Sequence, residues 1–265
     1  MMIVDSHCHA ALGWYEPIEA LLRQMDANGV ERAILIQIRG QFDNAYQTEC
    51  VRRYPDRLAS VVGIDTARED APRQLERLAA EGATGVRLRP GERSPGDDPL
   101  LIWRRAAELG LAVSCGGSGP EYADDAFAAI YEELPELPIV IEHLGSVNNP
   151  REEAPETRPV EKVFGLSRHP NAYIKLPGLG EFATRAMPVR EPFAFEEPIP
   201  ALMEQAYAAF GPTRMMWGSD YPPVSSREGY GNALKLPLER FASKPGVERA
   251  QMFGEVAWSI FGTKR

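Results

Sequence analysis

Four side chains able to do chemistry stand far apart in the chain. They are His7 and His9 in Asp5-Ser6-His7-Cys8-His9, His143 in Ile141-Glu142-His143-Leu144-Gly145, and Asp220 in Trp217-Gly218-Ser219-Asp220-Tyr221-Pro222. The sequence holds 4 histidines, and three of them sit at the C-terminal ends of segments that read as strands. Residues i and i+2 of a strand share a face, so His7 and His9 point together. Two imidazoles and a carboxylate converging on one point are the donors of a divalent-metal site with an open coordination position. Taken singly, each has a duller explanation: a histidine after a strand is commonly a surface or core residue, and an aspartate there often caps the next helix. Tyr221-Pro222-Pro223 makes a poor helix start, however, which argues against a capping role for Asp220.

These residues are far apart in sequence, so the fold must bring them together. Short apolar runs alternate with amphipathic segments along the whole chain. Strands are expected at Ile3–His7, Arg32–Ile38, Leu58–Ile64, Thr84–Leu88, Leu111–Cys115, Pro138–Glu142, Ala172–Leu176 and Arg214–Gly218. Helical spacing falls between them, as in Ile18, Leu21, Leu22 and Met25, where Gly29 ends the segment. Further helices are expected at Ala45–Arg53, Ala71–Glu81, Pro99–Leu109, Asp124–Leu134, Pro159–Arg168 and Ala201–Phe210. Eight such units predict parallel pairing through right-handed crossovers and closure as an α/β (β/α)₈ TIM barrel, one domain over residues 1–265. An open doubly wound sheet would show a glycine-rich turn after the first strand, and none stands there. In a closed barrel the first and eighth strands are neighbours, which sets Asp220 beside His7 and His9 at the C-terminal mouth. Two irregular stretches, Gly145–Thr157 and Pro177–Pro198, follow strand ends on that same face.

Composition narrows the partners. The 265 residues carry a formal net charge of −9 with both signs interspersed, so no basic patch for nucleic acid is evident. Small anionic organic substrates remain compatible, because one or two placed cations suffice for them. The 3 cysteines, Cys8, Cys50 and Cys115, are scattered and suggest a reducing, cytoplasmic setting. No apolar run approaches the roughly 20 residues that a membrane span needs. A homo-oligomer stays open.

The three motifs quoted above, in that order, resemble those of the amidohydrolase-related barrels, and the likeness extends to the terminal segment around Ala257, Trp258, Ile260 and Phe261. That group includes decarboxylases of the aminocarboxymuconate-semialdehyde type and lactonases acting on pyrone dicarboxylate, sulfomuconolactone and sugar lactones. The resemblance implies His7, His9 and Asp220 as ligands of one divalent metal ion, zinc by preference. It implies His143 as the residue orienting or polarising the reacting group, and Asp220 as the general base toward water. A histidine that many members carry at the end of strand five is absent, since this chain reads Val113-Ser114-Cys115-Gly116-Gly117. Cys115 is the available donor there, although a buried cysteine is usually inert packing. Some lactonases of the group lack that histidine and work without metal, which leaves a metal-independent variant open.

Cations near the mouth point to an acidic substrate. Arg87 and Arg89 end strand four on one face, and their planar forks suit a carboxylate. Lys175, near the end of strand seven, is a third, provided alternation turns it inward. Trp14 and Tyr15 stand where they can wall the pocket, Gln37 and Asp65 end strands two and three, and His169 belongs to the opposite end of the barrel. The expected function is hydrolysis of a carboxylated lactone or related cyclic ester. The alternatives are a metal-dependent decarboxylase of the same family and a catalytically inactive ligand-binding barrel.

Overall fold

A computed structural model describes residues 1–147 and 159–262. Its strands are β1 (Val4–Cys8), β2 (Arg32–Ile36), β3 (Leu58–Gly63), β4 (Gly85–Leu88), β5 (Ala112–Cys115), β6 (Ile139–Ile141), β7 (Ala172–Leu176) and β8 (Met215–Trp217). They pair in parallel and in sequence order, and every strand end lies within two residues of the expected bounds. The ring shuts just beyond β8. There the Asp220 N–H donates to the His7 carbonyl at 2.7 Å, and the His9 N–H donates to the Tyr221 carbonyl at 2.8 Å. The expected (β/α)₈ barrel is thus the observed one, and its closing seam joins the two segments that carry His7, His9 and Asp220. Within the first irregular stretch, residues 148–157 lie outside the described ones. The second is pinned by an antiparallel bridge between Arg185 and Phe195.

Alternation along the strands sorts side chains into two layers. Leu35, Val86, Leu88, Val113, Cys115, Ile139 and Ile141 point outward into the apolar layer under the helices, with Leu21, Met25, Leu75 and Trp103. Ile34, Ile36, Ala59, Val61, Ala112, Val140 and Met216 point inward and fill the lower barrel. The helix Val256–Phe261 closes the barrel from below, with Val256, Ala257 and Phe261 joining that inner cluster. A side chain at Gly254 would place its first carbon 2.1 Å from the Met2 carbonyl oxygen, so glycine alone permits this approach.

One irregularity matters for the site. Between Asp5 and Cys8 the register of β1 against β2 slips, because three steps on β1 match two on β2 (Asp5 to Ala33, Cys8 to Leu35). Val4 belongs to the inner cluster, and strict alternation would therefore aim Cys8 inward. Instead Cys8 lies in the outer layer. The extra residue flips the phase of the strand and delivers His7 and His9 to the interior, the re-aiming that bulges commonly perform at barrel rims.

Candidate active site

Directly above the inner apolar layer, the next inward position on four strands is polar. Arg87 follows Gly85, Ser114 follows Ala112, Glu142 follows Val140, and Lys175 follows Tyr173. They join into one buried chain. Arg87 Nη2 donates to Glu142 Oε2 at 2.7 Å, and the Ser114 hydroxyl donates to Glu142 Oε1 at 2.7 Å. Lys175 Nζ donates to Ser114 Oγ at 2.7 Å and lies 3.0 Å from His7 Nδ1. Charges placed this deep are tolerable only because each has a partner.

The rim stands on this chain. His7 Nε2 lies 3.8 Å from Asp220 Oδ1, and His9 Nε2 lies 3.5 Å from the same oxygen. His9 is oriented by its Nδ1 on the Ile36 carbonyl at 2.7 Å. The His143 ring packs edge-on to His7, with ring centroids 4.5 Å apart. All four sequence-expected residues thus meet at one end of the barrel. Asp220 adopts a positive φ of 57°, which aspartate tolerates better than most residues. The run His143–Ser146 is also left-handed throughout, a conformation costing about 1–2 kcal/mol per non-glycine residue and typical of strain held at functional sites.

Several residues of the site were not evident from spacing. Asp5, in the first motif, is fully buried and ties the seam: its Oδ2 accepts from the Ser219 hydroxyl at 2.6 Å and the Tyr230 hydroxyl at 3.0 Å, and its Oδ1 accepts from Ser219 N–H at 2.9 Å. Arg227, on the loop after β8, donates from Nη1 to Asp220 Oδ2 at 2.9 Å and contacts Glu181 Oε1 at 2.7 Å. Glu181, after β7, lies 3.6 Å from His143 Nδ1. Glu142 and Ser114 were legible only as inward positions of their strands. Glu181 and Arg227 sit in irregular loops, where no period assigns a direction.

Burial and neighbours set the charges. Burial pushes the His7 imidazole well below its ordinary range, and the Lys175 charge and the other rim histidines reinforce this, so His7 is neutral. Burial alone would raise the Asp220 carboxyl, but the His9 hydrogen bond and the charges of His143 and Arg227 outweigh it and hold it below the carboxylate range. Glu142 behaves alike: Arg87 and Lys175 overcome its desolvation and keep it ionised. Burial pulls Lys175 down to about 8 against the opposing pull of Glu142.

The remaining expected residues take distinct places. Arg87 faces the interior but is committed to Glu142 and the Gln37 carbonyl. Arg89 turns outward to Glu121 at 2.7 Å. Lys175 is 1% exposed and lies beneath His7. Cys115 faces the outer layer, and burial pushes its thiol well up, which makes it a poor ligand. Tyr15 leans on His9 with ring centroids 5.5 Å apart, while Trp14 is exposed. Asp65 accepts from the Ala67 N–H, and His169 stacks on Tyr131 in the turn before β7. A cavity of about 540 Å³ opens over the rim; Asp220, His143, Glu181, Arg185 and Arg227 are among its lining residues.

The donors suit a metal ion. Ring nitrogens of His7 and His143 and a carboxylate oxygen of Asp220 lie within 4.8 Å of one another, and His7 Nε2 is buried with no hydrogen-bond partner among the described residues. His143 takes the place that the resemblance implied for His9 in this tight group. The proton on His7 decides what that nitrogen does. When Nδ1 accepts from a charged Lys175, Nε2 carries hydrogen and donates; when Nδ1 carries the hydrogen, Nε2 offers a lone pair to a metal.

The chain is 25% identical over 230 residues to 4-sulfomuconolactone hydrolase of Rhizobium radiobacter, covering 83% of this chain and 70% of that protein. It is 29% identical over 223 residues to L-fucono-1,5-lactonase of Burkholderia ambifaria, covering 81% and 71%. A Burkholderia multivorans amidohydrolase crystallised with bound zinc superposes over the full length of both chains, with a TM-score of 0.78 at 20% identity. With the model of the family described as Amidohydrolase matching residues 4–262, from the strand bearing His7 to the helix that plugs the barrel, the chain belongs to that family.

Proposed function

We propose that this enzyme hydrolyses a carboxylated lactone or related cyclic ester. The observation that carries the reading is the seam itself: an ionised Asp220 whose Oδ1 faces His7 and His9 at the floor of a polar cavity. The two lactone-cleaving relatives support it. Asp220 takes the proton of the attacking water. Its low basicity is offset because that proton becomes strongly acidic only as the water oxygen bonds to the carbonyl carbon. A neutral His7 with hydrogen on Nε2 donates to the developing oxyanion, and His143 beside it orients the reacting group. The site also fits one divalent ion on His7, His143 and Asp220, zinc by donor preference, with His9 beside it. Such an ion supplies Lewis-acid polarisation of the carbonyl when bound.

The substrate carboxylate is assigned to the cation that lines the cavity without a carboxylate partner among the described residues. That cation is Arg185, whose Nη1 donates to the Arg227 carbonyl at 3.2 Å. Arg87 and Arg89, held by Glu142 and Glu121, set the field around the mouth instead. The reading is tested by following acid release from a panel of carboxylated lactones, with carbon dioxide measured in parallel, on protein of known metal content before and after chelation. Acid release without carbon dioxide is expected. About one divalent ion per chain by elemental analysis would mean that His7 holds it through Nε2 with hydrogen on Nδ1, and none would leave Nε2–H as the oxyanion donor. Carbon dioxide release would instead make the enzyme a decarboxylase, and silence across the panel would favour a barrel that only binds.

A further inference from the structure

The loops after β7 and β8 meet over the rim through one guanidinium nitrogen. Arg227 Nη1 is 2.7 Å from Glu181 Oε1 and 2.9 Å from Asp220 Oδ2, so its hydrogens bridge two carboxylates. Beyond Glu181, at 3.6 Å, stands His143 Nδ1. Glu181 ends the short turn Leu179–Glu181. No side chain fits at Gly178 or Gly180 beside it, because the carboxylate of Glu228, next to Arg227, fills that space. The two loops are therefore locked face to face, and Glu181 has little freedom to turn away.

We propose that Glu181 and Arg227 are positioning residues: Glu181 fixes His143 with its hydrogen on Nδ1, and Arg227 fixes both Glu181 and Asp220. A carboxylate can only accept, so the ring nitrogen facing it carries the hydrogen and the lone pair is left on Nε2. On the other side, Arg227 occupies Asp220 Oδ2 and leaves Oδ1 as the oxygen facing His7 and His9. One nitrogen thus couples the aim of the base to the tautomer of its neighbour. The kinetic part of this inference rests on the hydrolase reading; the tautomer does not.

The test uses the full chain with ¹⁵N-labelled histidine and long-range ¹H–¹⁵N correlation spectra at mildly alkaline pH. With 4 histidines in the sequence, His143 is assigned by its loss in His143→Gln. The expected spectrum shows His143 as the Nδ1–H tautomer in wild type and in Glu181→Gln, whose amide oxygen still accepts. Glu181→Ala should lose that preference. On a confirmed lactone, Glu181→Ala should lower kcat by roughly 10- to 100-fold with KM little changed, and Glu181→Gln should recover part of the loss. Wild-type His143 in the Nε2–H form would overturn the proposal without any variant, as would a Glu181→Ala spectrum matching wild type. If wild type opens no lactone, the functional reading fails while the nitrogen shifts still decide this one.

Discussion

The base role proposed for Asp220 rests on unequal surroundings of its two oxygens, one on Arg227 and one toward His7 and His9. His7, His9, His143 and Asp220 were all legible in the sequence, because each closes a strand and strand ends on one face of a barrel converge. Their partners were not. Arg87 and Arg89 look free in Val86-Arg87-Leu88-Arg89, yet Glu142 and Glu121, which hold them, come from other parts of the chain. Arg185 was invisible because its loop has no period. Arg185→Met is therefore expected to weaken use of a carboxylated lactone by about 10- to 150-fold, mainly through KM, and to abolish the preference for the free acid over its methyl ester. Unchanged preference in that variant would move the carboxylate contact elsewhere.

Each strand contributes an apolar floor and a polar ceiling, and that two-step pattern is what supports the site. Alternation left the direction of Lys175 open; the inward placing of Tyr173 and Val140 on neighbouring strands settles it, because Lys175 and Glu142 follow them by two residues. The slip in β1 was not legible, since Val4 to His9 reads as an ordinary strand and only pairing with β2 shows the extra residue. Glu142 is the keystone of the polar layer, with Arg87 and Ser114 bonded to it and Lys175 one hydroxyl away. Glu142→Gln should cost about 3–5 kcal/mol at neutral pH, because two buried cations lose their counter-charge. Its folded-state pKa is depressed, so the ionised carboxylate contributes stability above about pH 4.5 that is lost as pH falls. Urea unfolding of both proteins should show the gap narrowing on acidification; a gap that widens would contradict the assignment.

At the scale of the whole molecule, the barrel divides its labour between a sealed lower end and an open upper one. Phe261 under the inner cluster belongs to the first, and Phe261→Ala should cost about 3–5 kcal/mol by chemical denaturation while turnover per folded molecule stays near wild type. Strand number, order and closure followed from the repeated alternation of apolar runs. The plug at the bottom did not, because a short terminal helix carries no mark of where it docks. The central claim, that Asp220 drives addition of water to a lactone, is tested most directly by turnover in ¹⁸O-water. Wild type should place one solvent oxygen in the new carboxylate of the ring-opened product, and Asp220→Asn should slow this by roughly 10²–10⁴-fold while remaining folded. Full-rate incorporation by Asp220→Asn, or a product that has lost carbon dioxide and gained no solvent oxygen, would contradict it.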